Sequence, residues 1–280
     1  MPFTPSHALV ALPFVRTPLV PAAIAIGAMT PDLPLFLRGT PLTYAATHSW
    51  TGLAATVLVA FALLLVWRCL LRPAVRELSP RWLAARLPAE WDMPAGSAAR
   101  DAVGLLPGSS RGRGYPLLLV ASLLLGVVSH IVWDAFTHRG RWGVGLIPGL
   151  DGVWGPFTGF RWIQYVSGVV GLAVIGVWAL LWLRRRRAVM PGASVLPAFV
   201  RWAWWLSLPV TLLSAWGIGL ARYGPFSEDF TVAHLAYRVL PPACGLWGAV
   251  TLVLAVVVQM LRARVRRRGS APVGVGPTSA

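Results

Sequence analysis

A chain of 280 residues that is 56% hydrophobic and 12% charged, with a mean hydropathy of +0.66, is too apolar for an ordinary soluble domain and reads as an integral membrane protein. Its formal charge of +16 comes from 25 basic residues that are all arginine, which excludes Schiff-base and lysine-base chemistry. The arginines stand at the ends of apolar segments and not in a stripe interleaved with aromatics, which argues against a nucleic-acid partner; Cys69 and Cys244 lack the spacing of a disulfide framework or a thiolate metal site.

The N-terminus, Met1 to His7, has neither a basic n-region nor a cleavage site and is expected to stay in the mature chain. Thr4, Pro5 and Ser6 read as an N-cap with proline at the helix start, placing His7 in a first turn. Two readings of the next segment follow. A sixth span at about 18–37 would leave His7 a membrane away from His48. Alternatively, residues 5–15 descend, Pro18 and Pro21 mark a turn, and 21–30 return to a break at Pro31 and Pro34. This is a re-entrant hairpin whose arms of about 10 residues reach ~15 Å, half the hydrocarbon core. Such a hairpin must be surrounded by protein. It is the preferred reading, because it returns Asp32 to the level of His7, brings every candidate ligand to one face and leaves Arg16 near the turn.

Asp32 lies between Pro31 and Leu33, a turn context, yet a carboxylate flanked by apolar residues needs a partner. His48 sits at the mouth of the first apolar span, as a ligand or as an interfacial histidine beside Trp50. Five segments are long enough to cross a bilayer, at about 50–71, 116–137, 163–183, 202–221 and 243–261. The expected fold is an all-α polytopic transmembrane bundle, a single domain over 1–268. Residues 72–115 read as a mobile cytoplasmic loop with a short amphipathic helix near Trp82 and Trp91, and 269–280 as a disordered tail. Eight arginines in 68–113, five in 184–201 and five in 262–268 stand against Arg38, Arg139, Arg141, Arg161, Arg222 and Arg238. By the positive-inside rule the larger set and the C-terminus lie on the cytoplasmic side of a bacterial cytoplasmic membrane, and His48, His138, Asp151 and His234 face outward.

The most informative stretch is Ser129 to His138, at the outer end of the second span. At roughly 100° per residue, His130, Asp134 and His138 fall within about 80° of one helix face. Ionisable groups in a spanning helix cost several kcal/mol unless paired, metal-bound or hydrated. His130 and Asp134, one turn apart, can share an ion; His130 and His138, separated by about 12 Å of rise, cannot easily do so. With His7, Asp32 and His48 they form a candidate metal or proton-handling site, the alternative being a set of interfacial and capping residues. Imidazole and carboxylate without thiolate suit Zn²⁺, then Mn²⁺ or Fe²⁺. Two aspartates neutralise one divalent charge and leave a position for water, the layout of a hydrolytic centre in which Asp134 is a ligand or the base. Arg139, Arg141 and Arg161 either clamp a phosphate or snorkel to lipid phosphates. Gln164 and Ser167 contact substrate or bond across helices. Asp151, in a Gly and Pro turn, and His234, in a hydrated loop, read as structural.

Several of these motifs occur together in order: Met1 to His7, Gly27 to Pro34, Thr47 to Ser49, Ser129 to His138, and Gln164 with Ser167. In this the chain resembles the bacterial domain-of-unknown-function family numbered 4184. The histidine and Pro-Asp motifs of that family are similar to those of membrane-bound metal-dependent hydrolases and, more distantly, of zinc-dependent phospholipase C. The resemblance implies His7, Asp32, His48, His130 and Asp134 as metal-site residues, with His138 a sixth. The leading expectation is a metal-dependent hydrolase at the outer membrane face, acting on a phospholipid or another phosphorylated amphiphile. The alternatives are a transporter or proton relay, and a non-enzymatic lipid-binding protein.

Overall fold

The computed structural model describes residues 4–108 and 111–269. Five helices are long and apolar enough to cross a membrane: Leu53–Leu78, Tyr115–Thr137, Gly159–Arg185, Ala198–Tyr223 and Val232–Arg268. They are the expected five, in an all-α bundle whose only strands among the described residues are Val153–Trp154 and Phe157–Thr158, paired antiparallel in the loop after the second span.

Among the described residues no spanning helix precedes Leu53; instead a 3₁₀ arm, Thr4–Phe14, and an α arm, Pro21–Met29, form a hairpin. Its open ends meet where Thr4 Oγ1 donates to Asp32 Oδ2 at 2.6 Å. At the closed end, Val20 N donates to Ser122 Oγ at 2.9 Å, in the interior of the second span. Ser122 lies eight residues before His130, about 12 Å along the helix, so the arms dip to roughly the expected depth and return. Lipid tails are as apolar as leucine, so such a hairpin is held by close packing and hydrogen bonds more than by hydrophobic drive. Ala23 and Val20 pack with Ala60 and Leu64 of the first span and Leu119, Leu123, Val127 and Ile131 of the second.

Two spans run past proline where the residue patterns suggest an end, for the same physical reason. Pro73 cannot donate to the carbonyl four residues back, and the first span accommodates it with a π turn, Trp67–Leu71. The released Cys69 carbonyl accepts instead from Gln259 Nε2 of the fifth span at 2.5 Å, and the helix continues to Leu78. In the fifth span, Pro241 and Pro242 release the carbonyls of Tyr237 and Arg238. The Arg38 guanidinium donates to both, at 2.6 and 3.3 Å, and the helix reaches back to Val232.

Much of the segment 72–115 is folded into short helices and turns. Beyond the end of the first span it contains Arg81–Ala84, a 3₁₀ turn Ala89–Asp92 and Ala95–Ala102. Arg68 pairs with Asp101 at 2.8 Å, and Asp92 takes Arg76 and, at 2.5 Å, Arg262. Residues 109 and 110, and the tail from 270 onward, lie outside the described residues. The bundle therefore has two unlike ends, an arginine-rich end at Leu78, Tyr115 and Arg262, and an opposite end where His48, Thr137 and the open mouth of the hairpin gather.

Candidate metal centre

At that opposite end, Asp32, His48, His130 and Asp134 each present a ligand atom within 4.8 Å of the others. All four are buried, with His130 at 0% and Asp134 at 2% relative exposure. His130 and Asp134 lie on the inward face of the second span, one turn apart as their spacing requires. Asp32 ends the 3₁₀ turn Thr30–Asp32, where Pro31 and Pro34 stop the α arm. His48 follows the single turn Tyr44–Thr47, capped by Thr43, whose Oγ1 accepts from Ala46 N at 3.2 Å. Thr47 Oγ1 donates to Pro31 O at 2.7 Å, tying the two loop ligands together.

The tautomers follow from the partners. His130 Nδ1 lies 2.7 Å from Ala28 O, and His48 Nδ1 lies 3.0 Å from Tyr44 O. A carbonyl only accepts, so each Nδ1 carries a proton, and each ring in its neutral form directs a bare Nε2 inward. Those two Nε2 atoms are 3.1 Å apart. Two lone pairs at that distance repel unless a cation or a proton lies between them. Carboxylate oxygens complete the set: Asp134 Oδ2 is 3.4 and 3.5 Å from the two Nε2 atoms, and Asp32 Oδ1 is 3.9 and 3.7 Å away. Donors of a tetrahedral ion with bonds near 2.0–2.1 Å stand about 3.3 Å from one another, close to the shorter separations here, so the four could hold one metal ion.

Two further histidines flank the four. The His7 ring lies against His130, tilted by 31° with ring centroids 4.0 Å apart, and its Nε2 lies 3.7 Å from Asp134 Oδ1. Both of those atoms are buried without a hydrogen-bond partner. Burial, reinforced by the neighbouring His130, pushes the His7 imidazole down to about 3, so it stays neutral. His138 is placed differently from the helical projection. The second span ends at Thr137, and His138 is extended, at φ −129° and ψ 134°. Its Nδ1 turns back to Asp134, 3.4 Å from Oδ2 and 3.2 Å from the backbone oxygen, while Gln164 Nε2 donates to its Nε2 at 3.2 Å. His138 thus braces Asp134 from outside the four-ligand set.

Tyr44 and Thr4 complete the polar lining, although the sequence suggests no site role for Tyr44 and only a helix cap for Thr4. Tyr44 stacks on His48 at 3.7 Å and donates its hydroxyl to Asp134 Oδ2 at 3.3 Å. Burial first, and then the charge on Asp134, raise its pKa and keep the hydroxyl a donor. The i, i+4 spacing of Tyr44 and His48 was the available signal. Arg141 places its guanidinium 6.0 Å from the Tyr44 ring, whereas Arg139 and Arg161 are exposed. Ser167 Oγ accepts from Trp133 Nε1 at 3.3 Å. Asp151 is exposed in a turn, and exposed His234 accepts from Thr231 N at 3.2 Å; neither joins the cluster.

A polytopic helical membrane protein with a buried histidine and aspartate cluster at one end of its bundle is what fold and site define. The chain belongs to the family described as Domain of unknown function (DUF4184), whose model matches residues 1–261. Comparison with curated proteins and with solved structures returned no match.

Proposed function

We propose that the protein is a metal-dependent hydrolase of the membrane surface, acting on a phospholipid or another phosphorylated amphiphile. The observation that carries the reading is the pair of inward-facing Nε2 atoms, both fixed by backbone carbonyls and both backed by carboxylates in a buried site. Asp32, His48, His130 and Asp134 hold the ion, with Zn²⁺ the best match to two imidazoles and two carboxylates and Mn²⁺ or Fe²⁺ the next. When bound there, a divalent ion would supply Lewis acidity, lowering the pKa of a water toward about 7 and polarising a phosphoryl oxygen.

The protein residues have separable tasks. Asp134 Oδ1, unpartnered and facing His7, takes the proton as the water oxygen forms its new bond to phosphorus, the ester P–O bond breaks, and the proton passes to the departing alcohol. Tyr44 and His138 hold the carboxylate in place. A cavity of about 320 Å³ supports an amphiphilic substrate. Ser6, His7, Ser129 and Ser167 give it a polar part beside the site, and Leu9, Val10 and Pro13 continue it along the hairpin. Arg141, beside Tyr44, together with Arg139, Arg161 and Gln164, is assigned the phosphate and positioning contacts. The distribution of arginines supports an outward-facing site in a bacterial cytoplasmic membrane, with the C-terminus cytoplasmic.

The test is elemental analysis of the full-length protein purified without chelator, followed by phosphate-ester hydrolysis on mixed micelles. About one transition metal per chain and turnover abolished by Asp134→Asn are expected; absence of metal, with no thermal shift on adding Zn²⁺ or Mn²⁺, overturns the proposal. A shared proton would also reconcile His48 with His130, which is the observation favouring a proton relay. Relay across the bilayer needs polar groups continuing inward, yet the buried face below His130 is Val127, Gly126, Leu123 and Leu119, and Ser122 is occupied by Val20.

A further inference from the structure

We infer that the arginine-rich end carries a second, independent binding site for a phosphate group, presented by an anionic lipid headgroup. A cavity of about 540 Å³ opens there between the end of the first span, the segment 188–194 and the end of the fifth span. Six arginines and two carboxylates line it.

Both carboxylates are already committed. Glu77 is buried; its Oε1 accepts from Ser194 Oγ and from the N–H groups of Val195 and Leu196, each 3.0 Å away, and its Oε2 from Arg262 at 3.0 Å. Asp92 takes Arg76 and Arg262. These bonds form the walls, and buried Arg76 also donates Nε to Ala84 O at 3.2 Å. Arg81, Arg86 and Arg201 line the same cavity and meet no carboxylate among the described residues. Arg86 donates to Trp82 O at 2.9 Å and Arg201 to Ser194 Oγ at 3.1 Å, each a single use of a guanidinium with five donors. The cavity is thus prebuilt, cationic in excess, and supplied with the forked donors that match phosphate oxygens.

Its position selects the lipid. It lies where the hydrocarbon-length helices end, flanked by Trp82, which is 61% exposed, and Trp205, whose Nε1 donates to Leu78 O at 2.9 Å. Tryptophans at that level mark the headgroup region, and basic pockets between spans take anionic headgroups.

The experiment uses the full-length protein in neutral detergent, titrated with short-chain phosphatidylglycerol, with phosphatidylcholine of the same chain length, and with inorganic phosphate. The readout is bound lipid by native mass spectrometry together with thermal unfolding. Saturable phosphatidylglycerol binding is expected, at least tenfold tighter than phosphatidylcholine and weakened tenfold or more by Arg86→Gln with Arg201→Gln. Arg81→Gln, at an exposed side chain that cannot unfold the protein, should weaken it severalfold, and Asp32→Asn should leave it unchanged. If inorganic phosphate alone binds and the double variant loses it, the site stands with free phosphate as the ligand. Equal binding of the two lipids, or undiminished phosphatidylglycerol binding in both the double variant and Arg81→Gln, overturns the proposal.

Discussion

Gly27 and Gly126 bring the hairpin and the second span into backbone contact: a Cβ on Gly126 would fall 2.2 Å from Ile24 O, and one on Gly27 would fall 2.5 Å from Leu123 O. Small residues permit such approach between membrane helices. Here the approach has a chemical consequence, because Ala28, next to Gly27, supplies the carbonyl that fixes the tautomer of His130, four residues after Gly126. Gly126→Ala is expected to push the hairpin away at a cost of about 1–3 kcal/mol and to lose metal as well. Gly176→Ala, with nothing within 4 Å of its Cβ, is the control. Thermal unfolding in detergent with metal content of the same sample checks both halves; a Gly126→Ala protein that keeps full metal would break the link between the two.

The four ligands and the two flanking histidines should separate on mutation. His130→Ala or Asp32→Asn removes a ligand and should reduce bound metal to background. His138→Ala removes only the brace on Asp134 and should weaken affinity by about 10–100-fold, the usual effect of losing a partner that orients a ligand. Competition against a chromogenic chelator resolves the two classes. Equal loss in all three variants would place His138 in the ligand set after all.

Protons compete for the same lone pairs as the ion. Binding requires neutral His48 and His130 and ionised Asp32 and Asp134, so lowering the pH protonates ligands and releases metal, while raising it toward neutrality restores binding. Affinity should therefore fall progressively as the pH is lowered. Equilibrium dialysis over a series of pH values measures it; a pH-independent affinity would contradict histidine ligation.

The polar residues legible in the sequence were those whose burial in apolar surroundings is costly: Asp32, His48, His130 and Asp134. The hairpin was legible for a similar reason, since Pro18, Pro21, Pro31 and Pro34 punctuate a segment too short to cross twice. What pattern reading missed depends on tertiary partners. Projecting His138 onto the helix face assumes the helix continues, and it stops at Thr137. Tyr44 and Thr4 carry no cost that advertises them, and they matter only because the loop and the hairpin bring them to Asp134 and Asp32. The boundaries drawn before Pro73 and after Pro242 failed because a side chain from another element satisfies each orphaned carbonyl.

Arg38 tests that last point. Proline at 241 and 242 leaves two carbonyls without their helical donors, and one guanidinium reaches both while lying 5.2 Å over the Tyr237 ring. The site is exposed, so water can replace part of what is lost, and Arg38→Ala should cost about 1 kcal/mol, not the full penalty of two buried groups. Arg38→Lys, with a single point-like ammonium, cannot match two carbonyls with a planar fork and should recover only part of the loss. Because the residue is also remote from the metal ligands in its bonding, metal content should stay at the level of the unmodified protein. Hydrogen exchange at the start of the fifth span is the sharpest readout: protection of the turns around Tyr237 should drop in Arg38→Ala, and unchanged protection would show that the prolines are accommodated without it.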